Sequence, residues 1–180
     1  MANPRPKTLN ISLSDLASMI DHSLLHPTMT DDDVAAGLQI SKKYSVATAC
    51  VKPYHIPFAK KILEGSSVLI CPVIGFPHGN STTEVKVFEA KRAVEEGGKE
   101  IDMVANIGRV LSGKWEYVRN EIAKVNEAVV EQGAILKVIF ENDCKSKSLT
   151  YDNVRIWTYE RKIWENKRSS SFVKSALRSG

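Results

Sequence analysis

Between residues 19 and 141, short apolar runs alternate with longer stretches of helical period, and that alternation leaves few folds open. Residues 18–22, 46–51, 67–74, 101–107 and 134–140 read as strands. Thr30 caps a helix with Asp31, Asp32 and Asp33 in its first turn and Lys42 and Lys43 in its last, charges that complement the helix dipole. A short helix is expected around residues 58–63. Ser81-Thr82-Thr83-Glu84 has the form of a capping box, opening a helix that carries Val87, Phe88, Ala90 and Val94 and closes at Gly97-Gly98. Trp115, Val118, Ile122, Val125 and Val129 step at helical spacing toward a stop at Gly133. Five strands separated by four helices imply βαβ units and a parallel sheet.

An open doubly wound sheet and a closed βα-barrel both satisfy this order. No Gly-x-Gly-x-x-Gly follows the first strand, which disfavours a dinucleotide-binding sheet and favours a barrel. Such barrels take about 250 residues. The chain has 180, so an incomplete α/β barrel of about five βα units is expected.

The pattern changes after Glu141. Residues 142–180 hold nine Lys or Arg against four Asp or Glu, while the rest of the chain is close to neutral. The division expected is a flexible tail over 1–11, barrel over 12–141, and a basic tail over 142–180, disordered or partly helical. No groove-entering motif accompanies the basic residues, so nucleic acid is not an expected partner. No long apolar run or signal-like N-terminus is present, so no membrane association is expected and the cytoplasm is the default location. Cys50, Cys71 and Cys144 are widely spaced, with no Cys-x-x-Cys, which argues against a disulfide framework or a zinc site. A five-stranded part of a barrel would leave open edges and an uncovered core face, which favours association.

Barrel chemistry gathers at the C-terminal ends of the strands. That rule selects Asp21, Cys50, Asp102, Lys137 and Glu141. Asp102 and Lys137 are charged residues inside apolar runs of neighbouring strands. Facing inward, they suit proton transfer or Schiff-base chemistry, or else form a structural ion pair. Cys50 reads as a nucleophile or as an inert buried thiol. His22, His26, His55 and His78 lack metal-ligand spacing. Gly75 and Gly79 around Pro77 read as loop geometry or a phosphate turn.

Several segments form a set of motifs. They are Ile20-Asp21-His22-Ser23-Leu24-Leu25-His26-Pro27, Ala49-Cys50-Val51-Lys52-Pro53, and Val73-Ile74-Gly75-Phe76-Pro77-His78-Gly79 with Thr82-Thr83-Glu84-Val85-Lys86. Glu100-Ile101-Asp102-Met103-Val104 with Asn106-Ile107-Gly108, and Leu136-Lys137-Val138-Ile139, complete the set. In order and in spacing these segments resemble the deoxyribose-phosphate aldolases, and the resemblance covers residues 12–143, so the chain looks truncated after the fifth strand, with a divergent tail.

The resemblance implies a TIM-barrel class I aldolase that uses neither cofactor nor metal. Such enzymes reversibly cleave 2-deoxy-D-ribose 5-phosphate, a small sugar phosphate, to acetaldehyde and glyceraldehyde 3-phosphate, in deoxyribose catabolism. By that resemblance Asp102 belongs to a proton relay and Lys137 to the same polar cluster, while Asp21 and Cys50 line the substrate pocket. The imine-forming lysine sits in a Phe-Val-Lys-Thr-Ser-Thr-Gly-like sixth strand. Here Phe172-Val173-Lys174-Ser175-Ala176 matches its first half, making Lys174 the candidate. The family's strand-seven lysine and late phosphate loops find no counterpart. A catalytically inactive fragment serving at most as an interaction partner is the alternative, and a homo-oligomer is compatible with either.

Overall fold

The computed structural model describes residues 10–141 and the backbone of residues 172–174. Its elements run α1 (Leu13–Ala17), β1 (Asp21–Leu24), α2 (Asp31–Tyr44), β2 (Thr48–Val51), a 3-10 turn (Pro53–His55), α3 (Ile56–Leu63) and β3 (Leu69–Ile74). They continue with α4 (Thr83–Glu96), β4 (Glu100–Val104), α5 (Ile107–Leu111), α6 (Trp115–Val130), β5 (Ile135–Ile139) and β6 (Phe172–Lys174). The strands form one sheet in the order β1-β2-β3-β4-β5-β6, and every pairing is parallel. This is the partial α/β barrel that the alternation of runs implies.

Local chemistry explains most boundaries. Thr30 and Asp33 form a reciprocal capping box at the start of α2, and Ser45 closes the helix in the left-handed conformation. The box expected at Ser81 does not form. The N-cap of α4 is Thr82, and its side chain makes no capping bond. Residues 105–107, read as strand from their apolar character, instead leave the sheet, because Asn106 caps α5 by accepting the Arg109 backbone N–H. α1 is an additional element with no counterpart among the expected helices, and its Ser12 and Asp15 also form a capping box.

β6 lies within residues 142–180, where a disordered or partly helical tail is expected, and coincides with the Phe172-Val173-Lys174 match. Its register sets Phe172 opposite Lys137 and Lys174 opposite Ile139. Cys144 lies outside the described residues.

The sheet has two inequivalent faces. Leu24, Ala49, Val51, Ile70, Ile74, Ile101, Met103, Leu136 and Val138 pack with Val34, Leu38, Ile56, Ala90, Val118, Val125 and Val129 of the helices. This layer is the apolar core. Alternation puts the intervening strand positions on the opposite face, and there Thr48, Cys50, Cys71, Asp102 and Lys137 are all buried. Of the apolar residues that α4 carries, Ala90 is buried but Phe88 is 67% exposed, while Lys86 is fully buried. No helix among the described residues is long and apolar enough to cross a membrane.

Candidate active site

Register assembles the inner-face cluster. Asp21 stands opposite Thr48, Cys50 opposite Cys71, Val73 opposite Asp102, and Asp102 opposite Lys137. Lys137 Nζ lies 3.0 Å from Asp102 Oδ1, 3.1 Å from Asp21 Oδ2 and 3.1 Å from Glu100 Oε2. Thr48 Oγ1 donates to the other Asp21 oxygen at 2.8 Å. Cys50 Sγ lies 3.8 Å from Asp102 Oδ2 and 3.7 Å from Thr48 Oγ1. The ligating atoms of Cys50, Cys71 and Asp102 all fall within 4.8 Å of one another.

These surroundings retune the ionisable groups. Burial raises the Asp102 carboxyl above its ordinary value, and Lys137 opposes the rise only in part. Burial also works against the charge on Lys137, but the neighbouring Cys71, Asp102 and Cys50 overcome it and raise its pKa. Burial pushes the Cys71 thiol well up, whereas the hydrogen bond between the two sulfurs draws Cys50 down. The result is a firmly protonated ammonium beside a carboxylate that takes up a proton more readily than usual. That combination suits proton transfer.

The structure therefore brings Asp21, Cys50, Asp102 and Lys137 together. Glu141, just past β5 in the left-handed conformation (φ 48°), joins the cluster through no hydrogen bond or ion pair among the described residues. Lys174 enters at the level of the backbone, through its register with Ile139.

Sequence reasoning passed over Thr48, Cys71 and Glu100. Each lies at an inward parity position next to a residue already selected, so pairing adjacent runs in register would have found them. It also missed a buried ion pair behind the rim. Lys86 Nζ on α4 lies 3.0 Å from Glu121 Oε2 on α6 and donates to the Val104 carbonyl at 2.9 Å. Glu121 Oε2 in turn accepts the Asn106 backbone N–H. The pair pins the chain where it leaves β4, two residues beyond Asp102.

The Gly75–Gly79 loop is held as a turn. Gly79 N–H donates to the Gly75 carbonyl at 2.7 Å, and Gly75 N–H donates to Glu89 Oε2 at 2.9 Å. Gly79 has φ +65°, and a Cβ there would lie 2.0 Å from the Ala105 carbonyl oxygen, so the position requires glycine.

No protein-family model matches the chain. Over 128 residues it is 46% identical to a deoxyribose-phosphate aldolase of Rhodopirellula baltica, covering 71% of this chain and 53% of the relative. Over 127 residues it is 46% identical to one of Treponema denticola, covering 71% and 59%. The tetrameric deoxyribose phosphate aldolase of Aeropyrum pernix superposes with a TM-score of 0.74 at 31% identity, covering 92% of this chain and 65% of that one. The chain thus spans between half and two thirds of the length of the relatives it matches. Matching strands and matching motifs lead to one conclusion: over this stretch, the chain is similar in sequence and fold to the deoxyribose-phosphate aldolases.

Proposed function

We propose that the chain carries the first strands of a class I aldolase acting on 2-deoxy-D-ribose 5-phosphate. The observation that carries this reading is the Asp102–Lys137 pair, buried on the inner face of β4 and β5 in a chain with aldolase relatives.

In this reading Lys174 supplies the amine. Its nitrogen adds to the substrate carbonyl and water leaves, giving a protonated imine. The imine accepts the electron pair of the breaking carbon–carbon bond as the C3 hydroxyl loses its proton, which releases glyceraldehyde 3-phosphate; the enamine left on the lysine is then protonated and hydrolysed by water, which releases acetaldehyde and the free amine. Support for Lys174 comes from its register beside Ile139, two residues beyond the level of Lys137. Lys137 is not the nucleophile, because its raised pKa keeps it an ammonium. Its charge favours the neutral form of any amine brought near it. Asp102 relays protons to and from the reacting carbon and oxygen, aided by its raised pKa. Asp21 holds Lys137, and Cys50 lines the pocket. A cytoplasmic location fits this chemistry, and a homo-oligomer is in keeping with the tetrameric relative and with exposed Leu13, Leu16 and Met19 around α1.

One observation favours the second reading, a catalytically silent fragment. Among the described side chains the cluster holds a single lysine, and it is bound by three carboxylates. Borohydride trapping with acetaldehyde or deoxyribose 5-phosphate, mapped by peptide mass, separates the two. A single adduct on Lys174 is expected. Folded protein that gives no adduct overturns the aldolase reading of this chain.

A further inference from the structure

The described side chains of the inner face gather carboxylates around one lysine. Among the described residues, Asp21, Glu100 and Asp102 surround Lys137, three carboxylates against one ammonium. Beside them two thiols lie side by side, contributed by register partners on β2 and β3. Cys50 is 4% exposed, Cys71 fully buried and Asp102 5% exposed. Lys137 takes Oδ1 of Asp102, which leaves Oδ2 facing Cys50 Sγ at 3.8 Å.

We infer that Cys50, Cys71 and Asp102 form a binding site for a thiophilic divalent cation of the zinc or cadmium class. Two thiolates and a carboxylate oxygen are a donor set that selects such ions over magnesium or calcium. Two sulfurs bound to one zinc at about 2.3 Å each stand about 3.8 Å apart in a tetrahedral site. The three donor atoms, already within 4.8 Å of one another, reach that spacing by small side-chain rotations. A disulfide fits less well. In-register partners on parallel strands keep their Cβ atoms near the strand spacing of about 4.8 Å, whereas a disulfide brings them to about 3.5–4.5 Å.

The exchange balances without any redox step. Two S–H bonds break and two metal–sulfur bonds form. Two protons leave to solvent as one dipositive ion enters, so the charge of the cluster is unchanged. A carboxylate bound in this way is withdrawn from proton transfer. The cation is therefore an inhibitor of any chemistry that uses Asp102, and its binding does not depend on the aldolase reading.

The test is titration of the full chain with cadmium chloride in a non-thiol reductant, following thiolate-to-metal charge-transfer absorbance. The wild type and Cys144→Ser are expected to bind one equivalent. Cys50→Ser and Cys71→Ser are expected to bind at least about tenfold more weakly, since loss of an outer partner alone costs that much. X-ray absorption at the cadmium edge of the wild-type complex needs no variant to fold, and two sulfur ligands are expected. The proposal is overturned by an absent band, by undiminished binding in either serine variant, or by one sulfur ligand or none.

Discussion

Asp102 on β4 and Lys137 on β5 are register partners whose side chains close an ion pair of 3.0 Å inside the sheet. Each residue would be costly there without the other. A lone carboxylate in an apolar strand has no solvent to hydrate it, and the same holds for a lone ammonium. Lys137 additionally serves Asp21 and Glu100, so its removal takes an ion-pair contact from three carboxylates at once. Lys137→Met is expected to cost about 3–5 kcal/mol of stability in urea unfolding, the range for breaking a buried pair. Adding Asp102→Asn to that variant should recover part of the loss. A double variant less stable than Lys137→Met would contradict the pairing.

Asp102 also sets a pH dependence. Its folded-state pKa is raised, chiefly by burial, above the ordinary 3.8. A raised carboxyl contributes stability that is fully present below its unfolded pKa and is lost as pH rises through the folded value. Asp102→Asn, which cannot titrate, is the reference. The wild type should lose ground to Asp102→Asn as pH rises from the ordinary Asp value through the raised one. Unfolding midpoints of both proteins across that window check the sign, and a gap that moves the other way refutes it.

Lys86 and Glu121 are both fully buried, and burial lowers the pKa of the first and raises that of the second. Each shift marks a charge that the fold tolerates rather than prefers. Single substitutions, Lys86→Met or Glu121→Leu, should each cost about 3–5 kcal/mol. The double variant should fall well short of the sum, because no unpaired charge remains. A double-mutant cycle by denaturant titration measures that coupling, and simple additivity would remove the pair from the account of the rim.

Two glycines separate backbone strain from crowding. Gly65 has φ +72° and open space around it, so Gly65→Ala should cost only the left-handed penalty of about 1–2 kcal/mol. Gly79 has a similar φ but abuts the Ala105 carbonyl. Gly79→Ala should add an overpacking cost of about 1–3 kcal/mol to the same penalty. Equal thermal shifts in the two variants would mean that the loop yields freely.

Much of this was legible in the sequence, because strand and helix periods differ and the α2 cap and α6 stripe are strongly written. The inward pair Asp102–Lys137 was legible for the same reason: charge inside an apolar strand is conspicuous. Other features were hidden by cooperation between distant segments. Lys86 looks like an ordinary surface lysine until α6 brings Glu121 to it. Cys71 looks like one more apolar residue until register sets it against Cys50. The Ser81 box failed because Ser-Thr-Thr offers adjacent caps, and the chain used Thr82. Phe88 is one of the apolar residues that mark α4 in the sequence, yet it lies exposed while Lys86 and Ala90 are buried.

The Lys137 ion pair to Asp21 joins β5 to β1, strands separated by three others in the sheet order. Measured along the sheet the two residues are four strand spacings apart; measured across its interior they are 3.1 Å apart at their charged tips. Lys137 is therefore a tie-rod as well as a charge. It fixes how tightly the sheet curls, and with it the width of the opening that any further strands must span.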